Sequence, residues 1–163
     1  MRSIAEIRQA TISGNCDQTL SRLYCRPAEE LTPYRQRILR LLEGFQTVFG
    51  KAETDSVQVF SAPGRTELGG NHTDHQRGKV LTGSVDLDAL ACAAPNGTGE
   101  IRIFSEGYGM ISVNAEELTP VPSEENTTKA IIRGVAAGIT ELGFPVGGFD
   151  AYVISDVPSG SGL

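Results

Sequence analysis

The chain has no basic excess. Fourteen lysines and arginines stand against twenty aspartates and glutamates, a net charge of −6. A general nucleic-acid surface is thereby excluded, because phosphate backbones are held by clustered cations. A nucleotide is not excluded, since a few backbone N–H groups and one or two cations are enough to hold it. No apolar run approaches the roughly 18 residues of a membrane span. The start, Met-Arg-Ser-Ile-Ala-Glu-Ile-Arg, lacks the apolar core of a signal peptide. Cysteine is scarce. Cys16, Cys25 and Cys92 are an odd set without a C-x-x-C pair or zinc-like spacing, which reads as reduced thiols in a cytoplasmic protein. Internal repeats and low-complexity segments are absent. What is present is ordinary for one soluble domain, with or without a short extension: 163 residues, 39% hydrophobic and 21% charged.

The first fifty residues read as helical. Ile4, Ile7 and Ala10 have helical spacing, and Ser13-Gly14-Asn15 breaks it. A short segment from Asp17 to Tyr24 puts Leu20 and Leu23 on one face. The strongest helix is expected from Pro33 to Phe49, with Thr32 as N-cap and Gly50 as terminator. Its apolar stripe is Ile38, Leu41, Leu42, Phe45 and Phe49, and Arg35, Arg37 and Arg40 are assigned to the solvated face. β character follows. Strands are expected at Val57–Ser61, Val85–Ala94, Ile101–Phe104 and Met110–Val113. Asn96-Gly97 and Gly107-Tyr-Gly109 serve as turns of an antiparallel meander. A further helix, Thr127 to Leu142, is expected to turn Ile131, Ile132, Val135, Ile139 and Leu142 inward. Gly134 and Gly138 would let it approach a sheet closely. A last strand, Phe149–Ile154, opens onto a glycine loop. This order gives an α+β fold with a mixed or antiparallel sheet and helices on one side.

Two segments carry chemistry. The first is Ser61-Ala-Pro-Gly-Arg-Thr-Glu-Leu-Gly-Gly-Asn-His-Thr-Asp-His-Gln76, read as a polar, glycine-kinked loop that holds both histidines of the chain. Arg65 can hold an anion or lower the pKa of a nearby carboxyl. Glu67 and Asp74 accept hydrogen bonds, while Asn71 and His72 can donate or accept. Such a set suits a polyol. A metal site on His72, Asp74 and His75 and an exposed loop with a structural Arg65–Asp74 pair are the competing readings. The second segment is Pro158-Ser159-Gly160-Ser161-Gly162-Leu163, after a strand. Glycines let the backbone turn its N–H groups onto an anion. It is not a P-loop, because no lysine follows the glycines.

Taken together, Pro63-Gly-Arg-x-x-Leu-x-Gly-x-His-Thr-Asp74 and, some eighty residues on, Val157-Pro-Ser-Gly-Ser-Gly-Leu163 resemble the galactokinases of the GHMP kinase superfamily. The first is similar to their signature P-G-R-V-N-L-I-G-E-H-T-D-Y, and the second to the front half of their ATP loop, P-x-G-x-G-L-S-S-S. Gly78-Lys-Val-Leu81 and Asp86 fall where the family continues with G-x-V-L-P…D. The resemblance covers about Val57 to Leu163.

The resemblance implies the ribosomal protein S5 domain 2-like fold of GHMP kinase N-terminal domains. Residues 1–50 would be a helical lead-in and 51–163 a truncated N-terminal domain, without the catalytic aspartate or the C-terminal domain. It implies ATP- and Mg²⁺-dependent phosphorylation of galactose at the anomeric hydroxyl, with Mg²⁺ ligands outside the segment. Arg65 would lie beside the catalytic aspartate. Arg65, Asn71, His72 and Asp74 would contact the sugar, and Pro158, Ser159, Gly160, Ser161, Gly162 and Leu163 would wrap the ATP phosphates. The implied partners are a small sugar and ATP, without nucleic acid or membrane, and the truncated chain is expected to be inactive and to self-associate. Departures stand at Glu67, Asn71 and His75, where the family has asparagine, glutamate and tyrosine, and at Thr128, where it has an aromatic. A kinase for another sugar and a sugar- and ATP-binding regulator without turnover are the alternatives.

Overall fold

The computed structural model describes residues 1–70, 73 and 76–160. Helix α1 (Ile4–Ile12) begins at a capping box. The Glu6 amide donates to Ser3 Oγ at 3.2 Å, and the Ser3 amide donates to the Glu6 carboxylate at 2.8 Å, so two otherwise unpaired donors are satisfied. Helix α2 (Asp17–Tyr24) buries Leu20 and Tyr24. Helix α3 (Thr32–Phe49) buries Ile38, Leu41, Leu42 and Phe45, the expected stripe, and ends at Gly50. Its N-cap is Leu31 rather than Thr32, which lies inside the first turn.

Six strands form one mixed sheet: β1 (Arg2–Ser3), β2 (Ser56–Gly69), β3 (Leu81–Pro95), β4 (Glu100–Ser105), β5 (Gly109–Asn114) and β6 (Phe149–Ser155), in the order β1-β2-β3-β6-β4-β5. The expected meander is therefore broken. The β2–β3 and β4–β5 pairs are antiparallel, but β6 lies between β3 and β4 and runs parallel to β4. Asn96-Gly97 is consequently not a hairpin turn. Asn96 instead donates from Nδ2 to the Asp150 carboxylate at 2.9 Å and tethers the crossing of β3 to β6.

Side chains alternate across a sheet. Val57, Val59, Leu90, Cys92, Ala94, Tyr152, Ile154 and Phe104 meet α1, α2 and α3 in one core. On the opposite face Ile101, Ile103 and Phe149 meet helix α4 (Thr128–Glu141) through Ala136 and Ile132. The α+β class and the mixed sheet agree with expectation, while α4 stands across the sheet from the other three helices. Its orientation agrees with the expected one at Ile132, which packs on the sheet core, and departs from it at the rest of the stripe. Ile131, Val135 and Leu142 are 67%, 58% and 76% exposed. The buried positions are Ala136 and Arg133, whose guanidinium donates to both Glu124 oxygens at 2.9 Å. A Cβ built at Gly134 or Gly138 meets nothing within 4 Å, so neither glycine serves close packing.

Candidate functional site

The segment read as a loop from Ser61 is strand as far as Gly69. It pairs with β3 from Ala62↔Ala89 to Gly69↔Leu81, with irregularities at Pro63/Arg65 and Glu67/Gly69. Proline is tolerated because β1 reaches only as far as Val57, so Pro63 lies on an edge. The first irregularity buries Gly64 and leaves Arg65 exposed, opposite Ser84. The extra residues lie on β3, where 85–87 stand against Gly64 alone, and such a bulge bends the strand that carries it. Glu67 is half-buried opposite Thr82.

Beyond Gly69 the chain is pinned at Thr73. Its hydroxyl donates to the Gly70 carbonyl at 2.9 Å, and its own carbonyl accepts from the Gly78 amide at 2.8 Å and the Gln76 amide at 3.0 Å. Gly78 is required there, because a Cβ on it would stand 2.0 Å from Thr73 Oγ1. Asn71, His72, Asp74 and His75 lie outside the described residues, and with them the residues of the metal alternative. Thr73 was not singled out from the sequence. Its signals are its place in the matched motif and a small hydroxyl residue in a glycine-flanked turn.

The second segment leaves β6 at Ser155. The Val157 amide donates to Ser155 Oγ at 3.1 Å. Pro158, Ser159 and Gly160 are exposed, and Gly160 has φ 73°. A left-handed glycine in an exposed turn leaves backbone N–H groups free to converge on an anion. Ser161, Gly162 and Leu163 lie outside the described residues. Thr128 is the first residue of α4 and is exposed.

The two segments leave the sheet side by side. Pro63 pairs with Asp88, and the Asp156 amide donates to the Asp88 carbonyl at 3.0 Å. Pro63, Asp88 and Asp156 are thus in line across three adjacent strands, about 10 Å from first to last at ordinary strand spacing.

Asp88 is the residue that sequence reasoning missed. Only 2% exposed, its carboxylate accepts from Tyr24 Oη at 2.7 Å, Ser61 Oγ at 2.5 Å and Arg37 Nη1 at 2.7 Å. Burial pushes its pKa up, but these three hydrogen bonds outweigh burial and hold the carboxyl below its ordinary range. Burial and the Asp88 charge push the Tyr24 phenol well up. Arg37, assigned to the solvated face, is buried against Asp88. Arg35 is also paired, at 2.5 Å from Asp17. The available signal was an aspartate inside an apolar strand run, which must be paired to be stable. Asp86, two residues earlier within the irregular stretch between Asp88 and Ser84, pairs with Arg26 at 2.7 Å.

A wide groove of about 870 Å³ lies between α4 and Leu118–Pro122, and none of the sequence-predicted site residues lines it. Among the described residues, no group of three His, Cys, Asp or Glu side chains stands together to hold a metal. No helix among them is long and apolar enough to cross a membrane.

Comparison with known proteins gives a consistent picture. A galactokinase galactose-binding signature matches residues 43–95. The chain is 34% identical to a galactokinase of Chloroflexus aggregans over 123 residues, which is 73% of this chain and 30% of that protein. It is 35% identical to a galactokinase of Streptococcus thermophilus over 128 residues, covering 76% and 32%. Among solved structures, Lactococcus lactis galactokinase complexed with galactose superposes with a TM-score of 0.67 at 27% identity, over 77% of this chain and 32% of that one. The mevalonate kinase of Methanococcus jannaschii, at 18% identity and a TM-score of 0.52 over 66% of this chain and 35% of that one, shares the fold. The chain spans about a third of the length of the relatives it matches.

Proposed function

We infer that this chain, a homologue of galactokinases within the GHMP kinase superfamily over an N-terminal portion, supplies the sugar side and the start of the phosphate loop of an ATP-dependent sugar 1-kinase acting on galactose. The observation that carries the reading is the alignment of Pro63, Asp88 and Asp156, which brings the Arg65 strand and the Ser159-Gly160 turn to the same end of the sheet. In this reading Asn71, His72 and Asp74 contact the sugar, Asp74 by accepting from its hydroxyls. Arg65 holds a catalytic carboxylate ionised and offsets charge developed in transfer. Pro158 to Leu163 surround the phosphates. ATP with Mg²⁺ supplies the phosphoryl group, and positioning and electrostatics supply the rate. The division into a lead-in, 1–50, and a kinase segment, 51–163, goes with this proposal, although both contribute to one core.

The test is ADP release over a panel of sugars, using a protein that extends this segment to the length of its relatives. Galactose is expected to give the highest kcat/KM. A different preferred sugar would overturn the substrate, and binding of sugar and ATP without ADP would overturn the enzyme. The 163-residue chain alone is expected to release no ADP.

A further inference from the structure

Ser61 opens the signature strand and Asp156 opens the glycine loop, and one side chain from outside the sheet links them. Arg37 on α3 donates from Nη1 to the Asp88 carboxylate at 2.7 Å and from Nη2 to the Asp88 carbonyl at 3.2 Å. Its Nε lies 2.8 Å from the Asp156 carboxylate, an ion pair whose N–H is not directed along a hydrogen bond. The same Asp88 carbonyl accepts from the Asp156 amide, and the same carboxylate accepts from Ser61. A guanidinium can grip three groups in this way because its donors form a planar fork, which an ammonium lacks.

We propose that Arg37, held by Asp88, is a positioning residue: it fixes where the glycine loop leaves β6 relative to the Arg65 strand. The proposal rests on the kinase reading above for its consequence, the delivery of ATP phosphates to the sugar, but not for its geometry. The role goes beyond stabilising the core because Asp156 is half-exposed. An exposed partner adds little to stability, whereas it does decide the path of the backbone that follows.

Two measurements test this, with Asp156→Asn and Arg37→Lys as variants. The first is the backbone order, by ¹⁵N relaxation, of Val157, Ser159 and Gly160 in the 163-residue chain. Both variants are expected to lower it, while amide protection in Ser56–Ala62 and Phe149–Ser155 is unchanged in Asp156→Asn. The second is kinetic, in the protein extended to the length of its relatives. Asp156→Asn is expected to raise KM for ATP tenfold or more with less than a twofold change in KM for the sugar, and adding Arg37→Lys is expected to raise KM for ATP no further. Unchanged loop order, or equal rises in both KM values, overturns the proposal. If the extended wild type does not use ATP, the kinase reading fails and loop order alone decides on the clamp. If Arg37→Lys does not fold, the exposed Asp156→Asn decides.

Discussion

At the scale of single residues, Asp88 dominates. Its carboxylate is buried and its partners come from α2, β2 and α3. Removing it by Asp88→Ala leaves the largely buried Arg37 guanidinium with only the half-exposed Asp156 as counter-charge, and the loss is expected to approach the roughly 3–5 kcal/mol of a broken buried pair. Tyr24→Phe removes one hydrogen bond to a charged group and is expected to cost about 1.5–3 kcal/mol. Urea midpoints check both. The pH dependence follows from the sign of the shift. Asp88 and Asp150 are both held below the ordinary 3.8, Asp150 against its burial by Asn96, Arg102 and Lys51. Each therefore binds fewer protons folded than unfolded between its two values, and stability rises with pH there. Their contribution is complete above 3.8 and is lost as pH falls through the depressed values. Stability is expected to be flat from pH 7 to about 5 and to fall below about 4, with a shallower fall in Asp88→Asn. A fall that begins at pH 6 would overturn this account. Neither aspartate was legible as a hub. Each could be seen to need a partner, but Arg37 is 51 residues from Asp88 and nothing local marks it.

At the scale of elements, the stripe of α3 and its Gly50 terminator are readable because they are local, whereas its N-cap falls on Leu31 and not on Thr32. The insertion of β6 between β3 and β4 was not, since strand order is set by long-range pairing that leaves no periodic trace. The segment from Ser61 reads as a loop in the sequence because its polar residues and glycines conceal a bulged edge strand as far as Gly69. Helix α4 shows why a stripe alone does not give direction. It is apolar on two sides, and only Ile132 and Ala136 meet the sheet core. Gly134 and Gly138 stand in helical backbone with open space around a would-be Cβ. Alanine there is expected to stabilise the chain by about 0.5–1 kcal/mol at each position, through helix propensity and the unfolded state. Chemical denaturation of Gly138→Ala checks it, and a loss of stability would mean that something packs against this face in solution.

At the scale of the whole molecule, that face is the unresolved tension. Ile131, Val135 and Leu142 are exposed on α4. Beside it, on the same side of the sheet, Phe60, Ala91, Ala93, Ile103 and Val153 line an open apolar groove of about 440 Å³. Among the described residues the sheet is thus covered on one face by α1, α2 and α3, and on the other by α4 toward its β4–β5 end, with Phe149 of β6. Contiguous apolar surface of this kind drives association, and a net charge of −6 opposes it only weakly once salt screens it. The 163-residue chain is therefore expected to associate with itself through this face as concentration rises, more so in salt. Val135→Lys and Phe60→Lys place charge on the two parts of the face, away from the Asp88 network, and each is expected to shift the chain toward monomer with its urea midpoint unchanged. Light scattering across concentration, at low and high salt, distinguishes the outcomes. A wild type that stays monomeric at high concentration in salt would show that the face tolerates water, and association unaffected by either lysine would place the contact elsewhere.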